Sequence, residues 1–241
     1  MVSGHVLGDD RKNGASALGL QRVLELKSYK TAWTWLHKLR RAMVRPGRER
    51  LTGRIEVDET FTAGVDEGTR GRHAGRKTLI VIAAQEDGPG IGRIRMRRIP
   101  DASAESLMPF IKDAIEPGSI VHTDGWMGYL PVQAAGYDHE VTFLKGKKKK
   151  PASELMPRVH RVASLLKRWL MGTHQGAVTH EHLDYYLHEL TFRFNRRRSA
   201  NRGKLFYRLV QQADAVDPAP YKSLVRCSVP AEMLAEADHN L

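Results

Sequence analysis

Six consecutive apolar residues, Leu79-Ile80-Val81-Ile82-Ala83-Ala84, constrain this chain more than any other segment. The run is strand length and has no polar alternation, so it reads as a central strand, apolar on both faces, in a sheet with helical cover. Its neighbours complete the pattern. Arg54 to Phe61 alternates, a Gly- and charge-rich turn region follows from Gly64 to Gly75, and Gly92 to Ile99 alternates Ile and Met with Arg, a strand with one solvated face. Ser103 is the N-cap of a helix running to Ala114, with Glu105 in its first turn and Pro117-Gly118 beyond its end. Ser119 to Asp124 is a fourth strand stopped by Gly125, and Val141 to Leu144 a short fifth. The order strand, strand, strand, helix, strand predicts an α/β fold with a mixed sheet.

Helices are predicted on either side of this sheet. Ser28 is placed to cap a helix from Tyr29 to Met43, where Ala32, Trp33, Leu36, Leu39 and Met43 form an apolar stripe and Lys30, His37, Lys38, Arg40 and Arg41 decorate the rest. With the short helix before it, this is either the latter part of a DNA-reading helix-turn-helix or a plain packing element. Ser153 to Met171, Thr179 to Arg193 and Leu205 to Ala213 have helical period, with a loop from Gly172 to Ala177. Three regions result: a helical segment at 1–50, an α/β domain at 51–213 and a mobile tail at 214–241.

Charge is distributed unevenly. Residues 1–57 carry twelve basic and five acidic side chains, a balance of +7, and residues 141–210 carry sixteen and four, a balance of +12. Between them, residues 58–140 carry nine basic and thirteen acidic side chains, a balance of −4. A single basic run reads equally as a solvated face, but two basic blocks flanking an acidic centre repel one another unless a polyanion neutralises them. The lone Cys227 cannot form an intramolecular disulfide or a four-cysteine zinc site, and no apolar run approaches the length of a membrane span. A soluble protein of a reducing compartment is expected.

Two acids stand where strands rarely tolerate them. Asp58 lies inside an alternating strand and Asp124 ends another, followed by the turn-permitting Gly125. Each is either the cap of a turn or a metal ligand. Carboxylates on neighbouring strands can share a hard cation such as Mg²⁺ or Mn²⁺. His160 and Lys167, seven residues apart on one helix, project from the same side; singly they read as a surface histidine and a solvated lysine, together as a ligand and a phosphate contact. Trp126, Tyr129 and Trp169 are either core residues or stacking surfaces for an extruded base.

Five blocks then carry a family resemblance. Ile55-Glu56-Val57-Asp58-Glu59-Thr60-Phe61, His122-Thr123-Asp124-Gly125-Trp126-Met127-Gly128-Tyr129, Val159-His160-Arg161 with Ser164 to Arg168, Gly172-Thr173-His174, and His182-Leu183 leading to Phe192 to Arg197 occur in order between about Ser28 and Tyr221. Together they resemble the ISXO-type insertion-sequence transposases. The resemblance implies an RNase H-like catalytic domain of the DDE superfamily, preceded by a short helical DNA-binding remnant and carrying C-terminal helices. It implies that Asp58, Asp124 and His160 bind two Mg²⁺ or Mn²⁺ ions and that Lys167 completes the catalytic set. Two departures stand out. Histidine occupies the third position, where relatives carry glutamate or asparagine, and Glu154 is the nearest acid. The zinc-ribbon with which relatives usually begin is excluded by the single cysteine, so on this resemblance the chain is expected to be an N-terminally truncated member.

The function implied is strand cleavage and strand transfer on double-stranded DNA, both element ends and target, by a homo-oligomer assembled on that DNA in the bacterial cytoplasm, at the nucleoid and away from any membrane. Lys147, Lys148, Lys149, Lys150, Arg168, Arg193, Arg196, Arg197, Arg198 and Lys204 are the expected phosphate contacts. Two alternatives remain open at this stage: a decayed or domesticated DNA-binding protein, and an RNase H-like nuclease without strand joining.

Overall fold

The computed structural model describes residues 14–44, 47–63, 77–142, 152–174 and 178–225. The polar start of the chain, the turn region at 64–76, Lys147 to Lys150 and everything after residue 225 lie outside them. The described residues form two compact units, one made of 14–44, 47–48, 181–192 and 198–225, the other of 49–63, 77–142, 152–174, 178–180 and 193–197.

The second unit is built on a five-stranded mixed sheet. Its strands are β1 (Arg54–Ala63), β2 (Lys77–Asp87), β3 (Gly90–Ile99), β4 (Ile120–Thr123) and β5 (Asp138–Val141), in the order β3-β2-β1-β4-β5. β1 and β2, and β2 and β3, pair antiparallel, whereas β4 runs parallel to β1 and β5 parallel to β4. Helix α3 (Ala104–Ala114) and a 3-10 segment (Met127–Ala135) cover one face. There Ile55, Val57, Leu79, Val81 and Ala83 join Leu107, Phe110, Ile111, Tyr129 and Val132 in one buried cluster. The alternate residues of β2, Ile80, Ile82 and Ala84, are equally buried on the opposite side, as a strand without polar alternation requires. Helix α5 (Pro157–His174), preceded by the single turn α4 (Ala152–Leu155), packs on β1 and β2 through Val159, Val162, Ala163, Leu166, Trp169 and Leu170. That three- and four-residue spacing is one helix face. This is the α/β architecture expected of an RNase H-like domain.

Several boundaries differ from the sequence reading, each for a local reason. The expected single helix from Ser153 breaks at Met156, because Pro157 disfavours helical geometry in the residue before it and starts α5 at a first-turn position that needs no N–H. At its other end α5 runs on to His174 through the expected loop. β5 lies three residues earlier than the apolar Val141 to Leu144, since its register comes from pairing Ile120 with Asp138 and Thr123 with Val141. β3 has no cleanly solvated face, because Arg95 is buried beside Ile94 and Met96 and its guanidinium donates to the carbonyls of Ile94 and Glu49. Its edge is closed by Asn195, whose side chain accepts from the Ile94 N–H at 2.7 Å and donates to the Ile94 carbonyl at 3.0 Å, as a further strand would.

The first unit contains α1 (Ala17–Val23), α2 (Tyr29–Ala42), most of α6 (Leu183–Asn195), α7 (Arg202–Asp214) and α8 (Tyr221–Val225). Ser16 caps α1 by accepting from the Gly19 N–H, while Ser28 stands at the start of α2 without a side-chain cap bond. Two residues expected on the polar face of α2 are interior instead. Arg40 donates to Glu189 of α6 at 2.7 Å and lies over the Tyr186 ring, and His37 packs among Trp33, Tyr185 and Tyr186. The countercharge that admits Arg40 to the interior is itself buried and lies 149 residues away. Arg40→Ala or Glu189→Ala is expected to cost about 3–5 kcal/mol in urea unfolding, since each strands a buried charge, and the double variant Arg40→Met with Glu189→Leu much less.

Candidate active site

Parallel pairing of β1 with β4 brings the two strand acids together. Asp58 and Asp124 each lie two residues beyond the last paired positions, close enough for their charges to interact, and before them Arg54 stands opposite Ile120, Ile55 opposite Val121 and Glu56 opposite His122. Residues so related share one face of the sheet, and strands lie about 5 Å apart. Gly125, with φ at +81°, lets the chain turn immediately after Asp124, a conformation that side chains resist. Each carboxylate is steadied locally: Asp58 accepts from the Glu59 N–H at 2.8 Å and Asp124 from the Trp126 N–H at 3.0 Å.

α5 crosses the same face. His160 is offset by one residue from the buried stripe of that helix, and its Nε2 stands 3.8 Å from Asp58 Oδ2. That nitrogen is buried and has no hydrogen-bond partner. Burial holds the His160 pKa below the ordinary histidine value against the opposing pull of Glu56 and Asp124, so the ring is neutral near pH 7. Lys167, exposed two turns along, is near enough to act electrostatically on both Asp58 and His160. Glu154 sits exposed on α4, on the far side of the break at Met156.

The acids resist ionisation. Desolvation pushes Asp58 up to about 6 and the charge of Asp124 adds to it, while the Glu59 N–H and Lys167 pull the other way. Glu59 rises to about 7, again chiefly through desolvation, although Tyr129 donates to its Oε1 at 2.5 Å. Asp58, its pKa raised, beside an unpartnered imidazole nitrogen forms an oxygen-and-nitrogen donor pair suited to a divalent cation. Among the described residues, no group of three His, Cys, Asp or Glu side chains stands ready as a closed cluster. Asp58 with His160 is the pair directly in reach, and Asp124 joins it electrostatically.

Three residues given no role in the sequence reading shape this site, Glu56, Glu59 and Arg158, together with Tyr129, weighed there as core or stacking residue. Glu56, on the same face as Asp58, accepts from the backbone N–H groups of Arg158 and Val159 at 2.7 and 2.9 Å and from Arg158 Nη1 at 2.9 Å. The available signal was three acids within four residues of a strand, where acids are depleted.

The expected phosphate contacts are dispersed. Arg168 is exposed on α5 beside Lys167. Arg197 is engaged by the protein itself, donating to the carbonyls of Ile91, Gly92 and Phe194 and lying over the Phe194 ring. Arg193 and Arg196 belong to the same unit, whereas Arg198 and Lys204 belong to the helical one. Lys147, Lys148, Lys149 and Lys150 lie outside the described residues. Trp169 and Tyr129 are core residues, and Trp126 is 51% exposed.

A mixed sheet in this order, with one acid inside β1, another just past the end of the parallel strand β4, and a histidine-bearing helix packed on β1, defines an RNase H-like domain of the transposase class. The family model described as the ISXO2-like transposase domain matches residues 50–195, and the chain belongs to that family of insertion-sequence transposases in the DDE superfamily. No match was found among curated proteins.

The raised carboxyl pKa values set the sign of a stability measurement. A group that binds its proton more tightly when folded favours the folded state while protonated, so stability falls as pH rises from about 4, the unfolded value, through the folded values of about 6 and 7. In metal-free buffer, thermal unfolding of the wild type should shift downward over this interval. Asp58→Asn should flatten the shift and raise the midpoint at pH 7.5 more than at pH 5.

Proposed function

We propose that this chain is a metal-dependent DNA transposase that cleaves the ends of an insertion sequence and joins them to target DNA. The single observation that supports this reading is the unpartnered His160 Nε2 at 3.8 Å from Asp58, a carboxylate that also feels the charge of Asp124. Asp58, Asp124 and His160 are the residues that would hold two Mg²⁺ or Mn²⁺ ions. When bound, such ions neutralise charge on the transferring phosphate and on the attacking and leaving oxygens. The protein's own part is positional. Asp58 resists ionisation without a cation, which couples metal uptake there to proton release. Neutral His160 adds a donor without adding charge, and Lys167 offers an ammonium to the phosphate beyond it. Phosphoryl transfer requires little covalent chemistry from side chains, so this positioning and charge balance are the catalytic contribution.

DNA binding follows from family membership, and no helix among the described residues is long and apolar enough to cross a membrane. On this reading the protein acts as a homo-oligomer on double-stranded DNA, both element ends and target, in the bacterial cytoplasm at the nucleoid. One observation favours a second reading, a protein that binds DNA without catalysis: histidine replaces an acid at the third position, and no three donors stand clustered among the described residues.

Incubation with element-end DNA and Mn²⁺ separates the two readings, nicked and joined products supporting the first and binding without products the second. Products that are nicked but never joined would identify a nuclease. Asp58→Asn, Asp124→Asn and His160→Ala should each lower cleavage by about 10³-fold or more, the loss of several kcal/mol of charge stabilisation. His160→Glu should retain Mg²⁺-dependent cleavage. Activity at wild-type level in His160→Ala would remove that residue from the site.

Affinity has its own signature. With about six to ten phosphate contacts, binding should weaken by roughly 10³-fold or more between 50 and 200 mM salt. A flat dependence, measured by fluorescence anisotropy, would be incompatible with a basic DNA-binding surface.

A further inference from the structure

We propose that Trp126 is the seat for an unpaired nucleobase next to the phosphate at Asp58, Asp124 and His160. The inference rests on the DNA-processing role above and adds a positioning residue to it.

The ring is held in place by the protein. Its Nε1 donates to the carbonyl of Ala102 at 2.8 Å, and the Trp126 backbone N–H donates to Asp124 Oδ1 at 3.0 Å. Gly128 leaves room for this arrangement. A Cβ there would lie 2.3 Å from the same Ala102 carbonyl, 2.8 Å from Leu107 Cδ1 and 3.1 Å from Trp126 Cδ1, so no other residue fits without moving the backbone under the ring. An indole whose only polar atom is satisfied internally gains nothing from water, yet Trp126 is 51% exposed, and Met127 and Leu130 beside it are 72% and 70% exposed. Contiguous apolar surface at a functional site marks a contact surface.

Its chemistry selects the occupant. From Asp124 to Gly136 there is no lysine or arginine, so the segment offers nothing to a phosphate. It offers a flat aromatic surface, and every base has a π-face that stacks on one regardless of sequence. Because Trp126 and Asp124 share a hydrogen bond, a base on the ring belongs to a nucleotide at or next to the one whose phosphate meets the carboxylates. An unpaired base is required, since a base within the duplex is already stacked on both sides.

The test uses full-length protein in Ca²⁺ buffer with two 30-base-pair duplexes, one fully paired and one with a two-nucleotide gap opposite 2-aminopurine. Wild-type protein should bind the gapped duplex more tightly and quench the 2-aminopurine. Trp126→Ala should lose the quenching and weaken gapped-duplex binding about tenfold, within the range for one base–aromatic stack, leaving paired-duplex binding unchanged. Trp126→Phe should keep most of both effects, and paired-duplex binding together with the thermal midpoint reports whether each variant is folded. Equal loss on both duplexes, or unchanged quenching in Trp126→Ala, would overturn the proposal. So would a change in sedimentation alone, which would assign the patch to self-association. The underlying reading fails differently: wild-type protein that quenches 2-aminopurine but never cuts in Mn²⁺ keeps the base seat and loses the transposase, whereas cutting with a silent Trp126 does the reverse.

Discussion

A buried carboxylate at the start of a helix holds the face of the candidate site together. Glu56, 2% exposed, receives two backbone N–H groups from the first turn of α5 and the guanidinium of Arg158, all within 3 Å. The first N–H groups of a helix have no partner within it, and the helix dipole places partial positive charge there, so an anion is the natural complement. Arg158 extends the clamp by donating to the carbonyls of Gly88 and Gly90 and pairing with Glu86 at 2.8 Å, which ties α5 to the hairpin between β2 and β3 as well as to β1. His160 and Lys167 are carried on this helix. Their distance from Asp58 is therefore fixed by a residue two positions before Asp58 on the same strand, and the helix cannot slide along the sheet without breaking charged bonds in a dry environment.

The face assembled in this way is electrostatically strained. Asp58, Glu59 and Asp124 lie within mutual influence, and desolvation outweighs the stabilising hydrogen bonds at the first two. A structure selected only for stability would replace at least one of them with an amide. On the proposed function, this charge is what a bound cation and a polyanionic substrate would balance together. The same logic explains why Tyr129, completely buried with its pKa pushed well above the ordinary tyrosine value, spends its hydroxyl on Glu59: the bond keeps that side chain directed into the α3 side of the sheet, away from the Asp58 face.

Basic residues divide into two kinds. Arg40, Arg95, Arg158 and Arg197 are taken up by carboxylates, carbonyls and aromatic rings of the protein and serve its architecture. Lys167 and Arg168 are exposed on α5, and on the proposed function they are positions from which a phosphate would be met. Net charge by segment cannot separate these classes, because a guanidinium counts the same wherever its partner lies.

Much of this was written in the chain itself. An apolar run without alternation, Leu79 to Ala84, dictated a strand covered on both faces, since no half-exposed element accommodates it. Asp58 and Asp124 stood out as candidates because strands seldom carry acids, and five ordered blocks identified the family. The break before α5 was not read, because the helical periodicity of Ser153 to Met171 runs through Pro157, whose ring carries the signal. Only the tertiary structure decided the rest. The pairs Glu56 with Arg158 and Arg40 with Glu189 join residues 102 and 149 positions apart, and nothing local distinguishes such a charge from a solvated one. β5 has a polar sequence, Asp138-His139-Glu140-Val141, and is a strand because β4 supplies its hydrogen-bonding edge. Trp126 reads in sequence like Trp169; one is half in water and the other in the core, a difference set by the carbonyl of Ala102 and the missing side chain of Gly128. Periodicity and residue type are local properties and survive in the sequence, whereas burial and partnership arise only when distant segments meet.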